Sequence, residues 1–148
     1  ESVQSDMRLE GCGVRTLGRA AGAVKAGLNH VRLEPGATGP PSHCHALEEE
    51  LFYVLEGSGT VTLGAEDQHP LRPGDVVARP PATGVAHRIR AGEHGMTYLA
   101  YGTRVSNDIC FYPRSNKLLF TGLGVAVRVQ SVDRWDGEVL RVTGGLYM

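Results

Sequence analysis

Short apolar segments alternate with glycine- and proline-containing turn signals along the chain. Polar and apolar residues alternate over 59–63 and again over 125–130, and the apolar segment 96–101 has the length of a strand. Turn signals separate such segments at spacings of roughly 8–12 residues, and they include the glycines within 57–59 and 92–95. Many short strands at this spacing predict an all-β sandwich or barrel.

The segment 42–56 is ambiguous in this pattern because it contains no glycine or proline. Leu47, Leu51 and Val54 recur at helical spacing, whereas residues 51–55 form a continuous apolar run with an aromatic pair, which suits a buried strand. Periodicity alone leaves both interpretations open.

The composition is that of one globular domain. The chain has 148 residues, and its formal net charge is −1. Domains most often contain about 100–150 residues, so one domain is expected. There is no basic block of the kind that nucleic-acid binding needs, and no apolar run approaches the ~18–20 residues of a membrane span. Three widely spaced cysteines do not form a disulfide framework, which favours a reducing compartment and predicts a cytoplasmic protein.

We expect the barrel to occupy residues 21–130. Residues 1–20 are expected to form an N-terminal extension or edge strand, and residues 131–148 a C-terminal strand or docking tail. Trp135 precedes an Asp-Gly dipeptide that is able to turn a final hairpin between 131–135 and 138–142.

Three histidines and one glutamate are the candidate chemical groups. His43 and His45 are two residues apart, a spacing that puts both side chains on one face of a strand but roughly 200° apart on a helix. A chelating pair at this spacing therefore favours a strand. Glu50 follows five residues after His45, and His87 follows 37 residues after Glu50.

With these residues the chain resembles the cupin superfamily, in its single-domain bacterial form (the conserved barrel of the cupin 2 type). The first cupin motif reads H-x-H, three or four residues, E, six residues, G. Here it is matched by His43, His45, Glu50 and Gly57. The gap of six residues before Gly57 selects Glu50 from a run of three adjacent glutamates.

The second cupin motif is matched by Gly74, Pro80, Gly84 and His87. The step from Pro80 to Gly84 is longer by two residues than the family pattern, and Ala91 stands where the family often has asparagine. Neither departure removes a ligand, and the longer turn is expected to reshape the pocket.

The resemblance implies an all-β fold, a double-stranded β-helix that forms a small jelly-roll barrel. It also implies that His43, His45, Glu50 and His87 point inward and bind one divalent transition metal. Imidazole and carboxylate suit Fe, Mn, Ni, Co, Cu or Zn. Three nitrogens and one oxygen leave two open positions on a six-coordinate ion, as a substrate or O₂ requires.

Several aromatic and polar residues are candidates for a substrate pocket. Strand alternation from Glu50 points two of them, at positions 52 and 54, toward the interior. Others come from the strand that begins near 96 and from the polar segment 101–117, which is either a flap over the metal or a solvated loop. The pocket candidates are Phe52, Val54, Tyr98, Tyr101, Arg104 and Tyr112.

A catalytic acid or base has four candidates, which are Glu49, His30, Tyr98 and Tyr101. Among the cysteines, Cys44 lies between two inward ligands and is expected to point away from the metal. Cys12 and Cys110 are expected to be packing residues.

Two classes of function stay open. The first is a small metalloenzyme of oxygenase, isomerase or decarboxylase type, acting on a small polar molecule such as a sugar derivative or an organic acid. The alternative is a non-catalytic cupin that binds a small molecule. A homodimer is expected in either case, since a jelly-roll barrel has exposed edge strands. Residues 123–130 or 1–20 would supply the contact.

Overall fold

The structure, a computed structural model, describes residues 9–138 and consists mostly of antiparallel strands. Within this range there are ten strands, a single turn of α-helix and one 3₁₀ turn, Pro113–Ser115. In chain order the elements are β1 (Cys12–Thr16), α1 (Leu17–Ala20), β2 (Ala26–Leu33), β3 (Cys44–His45), β4 (Glu50–Leu63), β5 (Asp67–Leu71), β6 (Val76–Arg79), β7 (His87–Thr103), β8 (Ile109–Tyr112), β9 (Lys117–Phe120) and β10 (Val125–Arg128). The all-β prediction is confirmed, and the strand interpretation of 42–56 is correct.

The strands form two sheets. The large sheet has the order β1-β2-β7-β4-β5, and β6 pairs with β4 as its sixth strand. The small sheet has the order β10-β9-β8-β3. Strand pairing closes neither sheet into a complete barrel. An isolated bridge between His43 and His87, with N–O distances of 3.2 and 2.8 Å, brings the chain before β3 against the start of β7.

The hydrophobic core is built on one face of the large sheet. Buried and more exposed residues alternate over 31–33 of β2 and over 51–54 of β4, as the pleat of a half-buried strand requires. Val31 and Leu33 point inward from β2, and Phe52 and Val54 point inward from β4. Packing of this face orients the start of β4, where Glu50 lies.

Two glycine-containing turn predictions are wrong, because β4 and β7 continue through them. The pairing of β4 with β7 shifts register between Val54 and Glu56 and again between Gly57 and Gly59. Gly57 and Gly95 both have positive φ, at 73° and 79°. Residues 57–59 and the glycine at 95 are therefore bulges in long strands, where glycine permits a backbone conformation and a close approach that other residues resist.

The two chain ends are described in part. Residues 9–20 of the predicted N-terminal extension contain β1, the edge strand of the large sheet, and α1. Residues 131–138 contain turns and no strand. The second arm of the hairpin predicted around Trp135 lies, apart from its first residue, outside the described residues. No helix within 9–138 is both long enough and apolar enough to cross a membrane.

Replacement of Gly57 by alanine is expected to destabilise the fold by about 3 kcal/mol or more. A Cβ at this position would overlap the carbonyl oxygen of Gly95, and the φ of 73° adds backbone strain. Gly64→Ala is the matched control, since its φ is 61° but its Cβ would meet no atom within 4 Å. We expect that control to lose about 1–2 kcal/mol. Urea unfolding measures both, and equal losses would contradict the close contact.

Candidate metal centre

Four side chains predicted from the sequence meet at one carboxylate oxygen. Glu50 Oε2 lies 3.2 Å from His87 Nε2, 3.6 Å from His45 Nε2 and 3.8 Å from His43 Nε2. The side chains are mostly buried, with exposed fractions from 4% for His87 to 20% for Glu50. The arrangement joins residues that are up to 44 positions apart in sequence.

The backbone around these side chains explains how they meet. Glu50 and His87 are the first residues of β4 and β7, and His45 lies in the two-residue strand β3. The bridge between His43 and His87 joins the two histidines directly. The longer turn after Pro80 contributes as well, because the N–H of Ala82 donates to the carbonyl oxygen of His45 at 2.9 Å.

Hydrogen bonds hold two of the imidazoles in one orientation. His43 Nδ1 lies 2.7 Å from the carbonyl oxygen of Pro41, and His45 Nδ1 lies 2.7 Å from Asp108 Oδ2. A nitrogen that faces an acceptor carries the proton, so both rings donate from Nδ1. The Nε2 lone pairs are left facing Glu50, which is the tautomer that a metal ligand needs.

Asp108 is nearly fully buried, with 1% of its surface exposed. Its Oδ2 accepts from His45, and its Oδ1 accepts from the backbone N–H groups of Leu47 and Glu48 at 2.8 and 3.3 Å. Burial by itself would raise the pKa of Asp108, but the bonds from His45 and the two backbone groups outweigh it and hold that pKa below its usual value. The carboxylate of Asp108 therefore stays ionised and accepts a hydrogen bond from Nδ1 of His45, while Nε2 of the same ring faces Glu50.

The protonation of the cluster suits a cation. Burial pushes the pKa of Glu50 upward, but its contact with His87 and the charges of the three imidazoles bring the net pKa below its ordinary value. Burial and the neighbouring His87 lower the pKa of His43. Near neutral pH the cluster thus presents an anionic carboxylate beside a neutral imidazole, as metal ligation requires.

Glu50 Oε2 is the observation that tests whether these residues suit a metal. This oxygen is buried and, within residues 9–138, has no hydrogen-bond partner, since the geometry of the 3.2 Å contact with His87 is not that of a hydrogen bond. A buried unpaired carboxylate oxygen is costly. A divalent cation held by this oxygen and the three Nε2 atoms would remove that cost, and the donor set is one that divalent transition metals accept.

A cavity of about 220 Å³ opens beside the cluster. His43, Glu50 and His87 line it. Phe52 and Tyr98 line it as well, with their ring centroids 5.9 Å apart. The cavity therefore gives a small molecule access to the candidate ligands.

The structure places only some of the predicted pocket residues in the cavity. Phe52 and Tyr98 line the cavity, and Val54 belongs to the core. Tyr112 stacks on His43 with a centroid distance of 5.8 Å. Tyr101 and Arg104 do not line the cavity: strand alternation turns Tyr101 to the outer face of β7, where it is 38% exposed, and Arg104 lies in a separate surface depression.

Only one of the four candidates for a catalytic acid or base lines the cavity. Of the four, Tyr98 lines the cavity, whereas Glu49 is exposed and His30 lines a different depression on the surface. Burial raises the pKa of Tyr98 well above its usual value, so its phenol keeps its proton near neutral pH.

Four side chains near the site were missed or assigned another role from the sequence. Asp108, Cys110 and Tyr112 alternate along the approach to β8 and through it, so period-two spacing was the available signal. Cys110, rather than Cys44, approaches His43 and His45, but burial raises the pKa of its thiol to about 12 and so disfavours a thiolate. Asn29 lines the cavity, and the available signal was a polar residue in register with Val31 and Leu33.

Comparison with known proteins identifies the family of the fold. A family model described as a cupin domain matches residues 29–100. The chain is 32% identical to a putative sugar phosphate isomerase from Acidithiobacillus ferrooxidans, with a TM-score of 0.72 over 96% of both chains. It is 29% identical to a sugar phosphate isomerase of the cupin superfamily from Silicibacter pomeroyi, with a TM-score of 0.76 over 90% of this chain and 82% of that one.

A third solved structure is more distant. The chain is 26% identical to a predicted oxalate decarboxylase from Thermotoga maritima, with a TM-score of 0.54 over 64% of this chain and 81% of that one. No curated protein sequence matched the chain. The chain belongs to the cupin superfamily, and its fold is the double-stranded β-helix of that superfamily.

Replacement of Asp108 by asparagine is expected to lower stability at pH 7 by about 1–3 kcal/mol, because the variant loses a charge-assisted bond to His45. The pKa of Asp108 is lowered in the folded state, so its contribution is complete above the ordinary aspartate pKa of about 4. That contribution is lost as the pH falls through the lowered pKa that Asp108 has in the folded state. Urea unfolding from pH 7 to pH 2 measures the difference between the two proteins. A difference that does not shrink on acidification would contradict the assignment.

Proposed function

We propose that the cluster is a metal centre in which His43, His45, His87 and Glu50 hold one divalent transition metal. The observation that carries the proposal is the buried Glu50 Oε2, which lies among three imidazole nitrogens and has no hydrogen-bond partner in the described chain. Such an ion supplies a Lewis acid that polarises carbonyl and hydroxyl oxygens of a bound molecule.

We further propose that the protein is a metal-dependent isomerase that acts on a small sugar derivative, with a sugar phosphate as the first class to test. One solved structure of similar length, 29% identical, is described as a sugar phosphate isomerase, and another, 32% identical over 96% of both chains, is described as a putative one. The cavity volume of about 220 Å³ suits a small molecule better than a drug-sized ligand.

The residues around the cavity would perform distinct tasks in this reaction. Asn29 Oδ1 is buried and has no hydrogen-bond partner within residues 9–138, so it is available to accept from a substrate hydroxyl. Tyr98 keeps the proton on its hydroxyl near neutral pH and donates it in a hydrogen bond to a substrate oxygen. Phe52 packs against His87, with centroids 5.2 Å apart, and keeps water from that side of the ligands.

Metal content is the first test of the proposed centre. We expect protein purified without a tag or chelator to contain close to one equivalent of iron, manganese, nickel, cobalt, copper or zinc, measured by elemental analysis. His87→Ala is expected to lose this metal because it removes one of four ligands. His69→Ala is the matched control, since His69 is half exposed and pairs with Asp67 away from the cluster.

Wild-type protein that neither contains metal nor takes it up on addition would overturn the metal centre. Equal loss of metal from His87→Ala and His69→Ala would show that the variants act through general instability rather than through ligation.

Isomerase activity is tested by incubating the metal-loaded protein with a panel of aldose and ketose phosphates and following interconversion by NMR. The variant Asn29→Leu removes the unpaired oxygen, and we expect it to raise KM by about 10-fold or more because a substrate hydroxyl loses its partner. The same variant is expected to unfold at equal or higher urea concentration than the wild type, since a buried unpaired oxygen has been removed.

The outcomes of this assay separate the two classes of function. Interconversion of any panel member supports the isomerase. Binding of panel members to the metal-loaded protein without turnover would support the non-catalytic cupin instead. The homodimer and the cytoplasmic location stay predictions.

A further inference from the structure

A second depression beside the candidate metal centre has no role in the proposed reaction. It is a groove of about 520 Å³. Its polar lining consists of Ser42, Thr62, Arg88 and Arg114, and small residues of the neighbouring turns complete it. Ser42 and Arg88 are the chain neighbours of His43 and His87, and Arg88 also lines the cavity of the candidate metal centre.

The charge of this groove is unbalanced. Two arginines line it, and no aspartate or glutamate does. Neither Arg88 nor Arg114 forms an ion pair with a carboxylate within the part of the chain that the structure describes. Two like charges that face one concave surface without a counter-charge favour the binding of an anion.

Some other arginines of the chain form side-chain hydrogen bonds. The guanidinium of Arg79 donates to the carbonyl oxygen of Val85 at 2.7 Å, and that of Arg90 donates to the carbonyl oxygen of Gly36 at 3.2 Å. Neither Arg88 nor Arg114 has a comparable side-chain bond among the hydrogen bonds within residues 9–138. Their donors are therefore free for a ligand.

We propose that this groove binds a phosphate group. A planar carboxylate is satisfied by one guanidinium fork, whereas a tetrahedral phosphate presents three terminal oxygens that accept from several directions. Donors from Arg88 and Arg114, together with the hydroxyls of Ser42 and Thr62, match the second pattern.

The phosphate has two sources that the groove itself does not distinguish. Arg88 lines both the groove and the cavity of the candidate metal centre. One source is the phosphate ester of the molecule bound in that cavity, and this source rests on the proposed function. The other source is a separate molecule that carries a phosphate group, which is independent of that function.

Titration calorimetry of the full-length protein with inorganic phosphate, at constant ionic strength, tests the groove. We expect binding of phosphate to exceed that of acetate, and we expect Arg88→Gln and Arg114→Gln each to weaken phosphate binding by about 10-fold or more. Arg72→Gln is the matched control, because it removes the same charge from an exposed residue outside the groove. Arg114 is exposed on a turn, so its variant is expected to fold even if Arg88→Gln does not.

Three results would overturn the groove as a phosphate site. The first is the absence of phosphate binding at millimolar concentration, and the second is binding that both arginine variants retain in full. The third is an equal loss of affinity in Arg72→Gln, which would indicate a general effect of charge. The His87→Ala variant is expected to bind inorganic phosphate as the wild type does, since it leaves the groove intact.

Ribose 5-phosphate and ribose, titrated into metal-loaded protein, distinguish the two sources. If the ester is part of the cavity ligand, ribose 5-phosphate binds more tightly than ribose and loses affinity in both Arg88→Gln and His87→Ala. If the ligand is separate, the arginine variant alone loses affinity. If the protein binds no metal but still binds phosphate, the proposed function is rejected and the groove is still supported as a phosphate site.

Discussion

The structure depends on the convergence of one carboxylate oxygen and three imidazole nitrogens on a single buried point. Glu50 Oε2 lies 3.2 to 3.8 Å from the three Nε2 atoms, and this oxygen is buried without a hydrogen-bond partner within residues 9–138. Burying such an oxygen without a partner costs free energy. The fold holds this oxygen in place because the core fixes the strands that begin at Glu50 and His87. The bridge between His43 and His87 then holds the third side chain beside them.

The small sheet contributes to this centre through its support of His45. Asp108 lies just before β8, accepts from the His45 ring and anchors the backbone of Leu47 and Glu48. One buried carboxylate thus sets both the tautomer of a candidate ligand and the path of the chain between β3 and β4. Positioning of this kind commonly tunes ligand basicity as well as geometry.

Much of the fold was predictable because the relevant signals are local. Period-two alternation at Phe52 and Val54 identified the inward face of β4, and the two-residue spacing of His43 and His45 indicated a strand. The glycines at 57 and 95 were interpreted as turns because glycine marks turns and bulges alike. Whether a strand ends or continues at such a residue depends on its partner strand, which lies about 40 residues away in the sequence.

The sequence by itself predicted the fold family and the four residues of the candidate centre through its resemblance to the two cupin motifs. It predicted the inward position of Phe52 through alternation along a strand, and these signals are local. The tertiary structure decided which other side chains reach the site. Tyr98 lines the cavity while Tyr101 faces outward, Asp108 is buried against His45, and Asn29 presents an unpaired oxygen. These placements depend on contacts between strands that are distant in sequence, and local patterns carry no information about which strand becomes the neighbour of another.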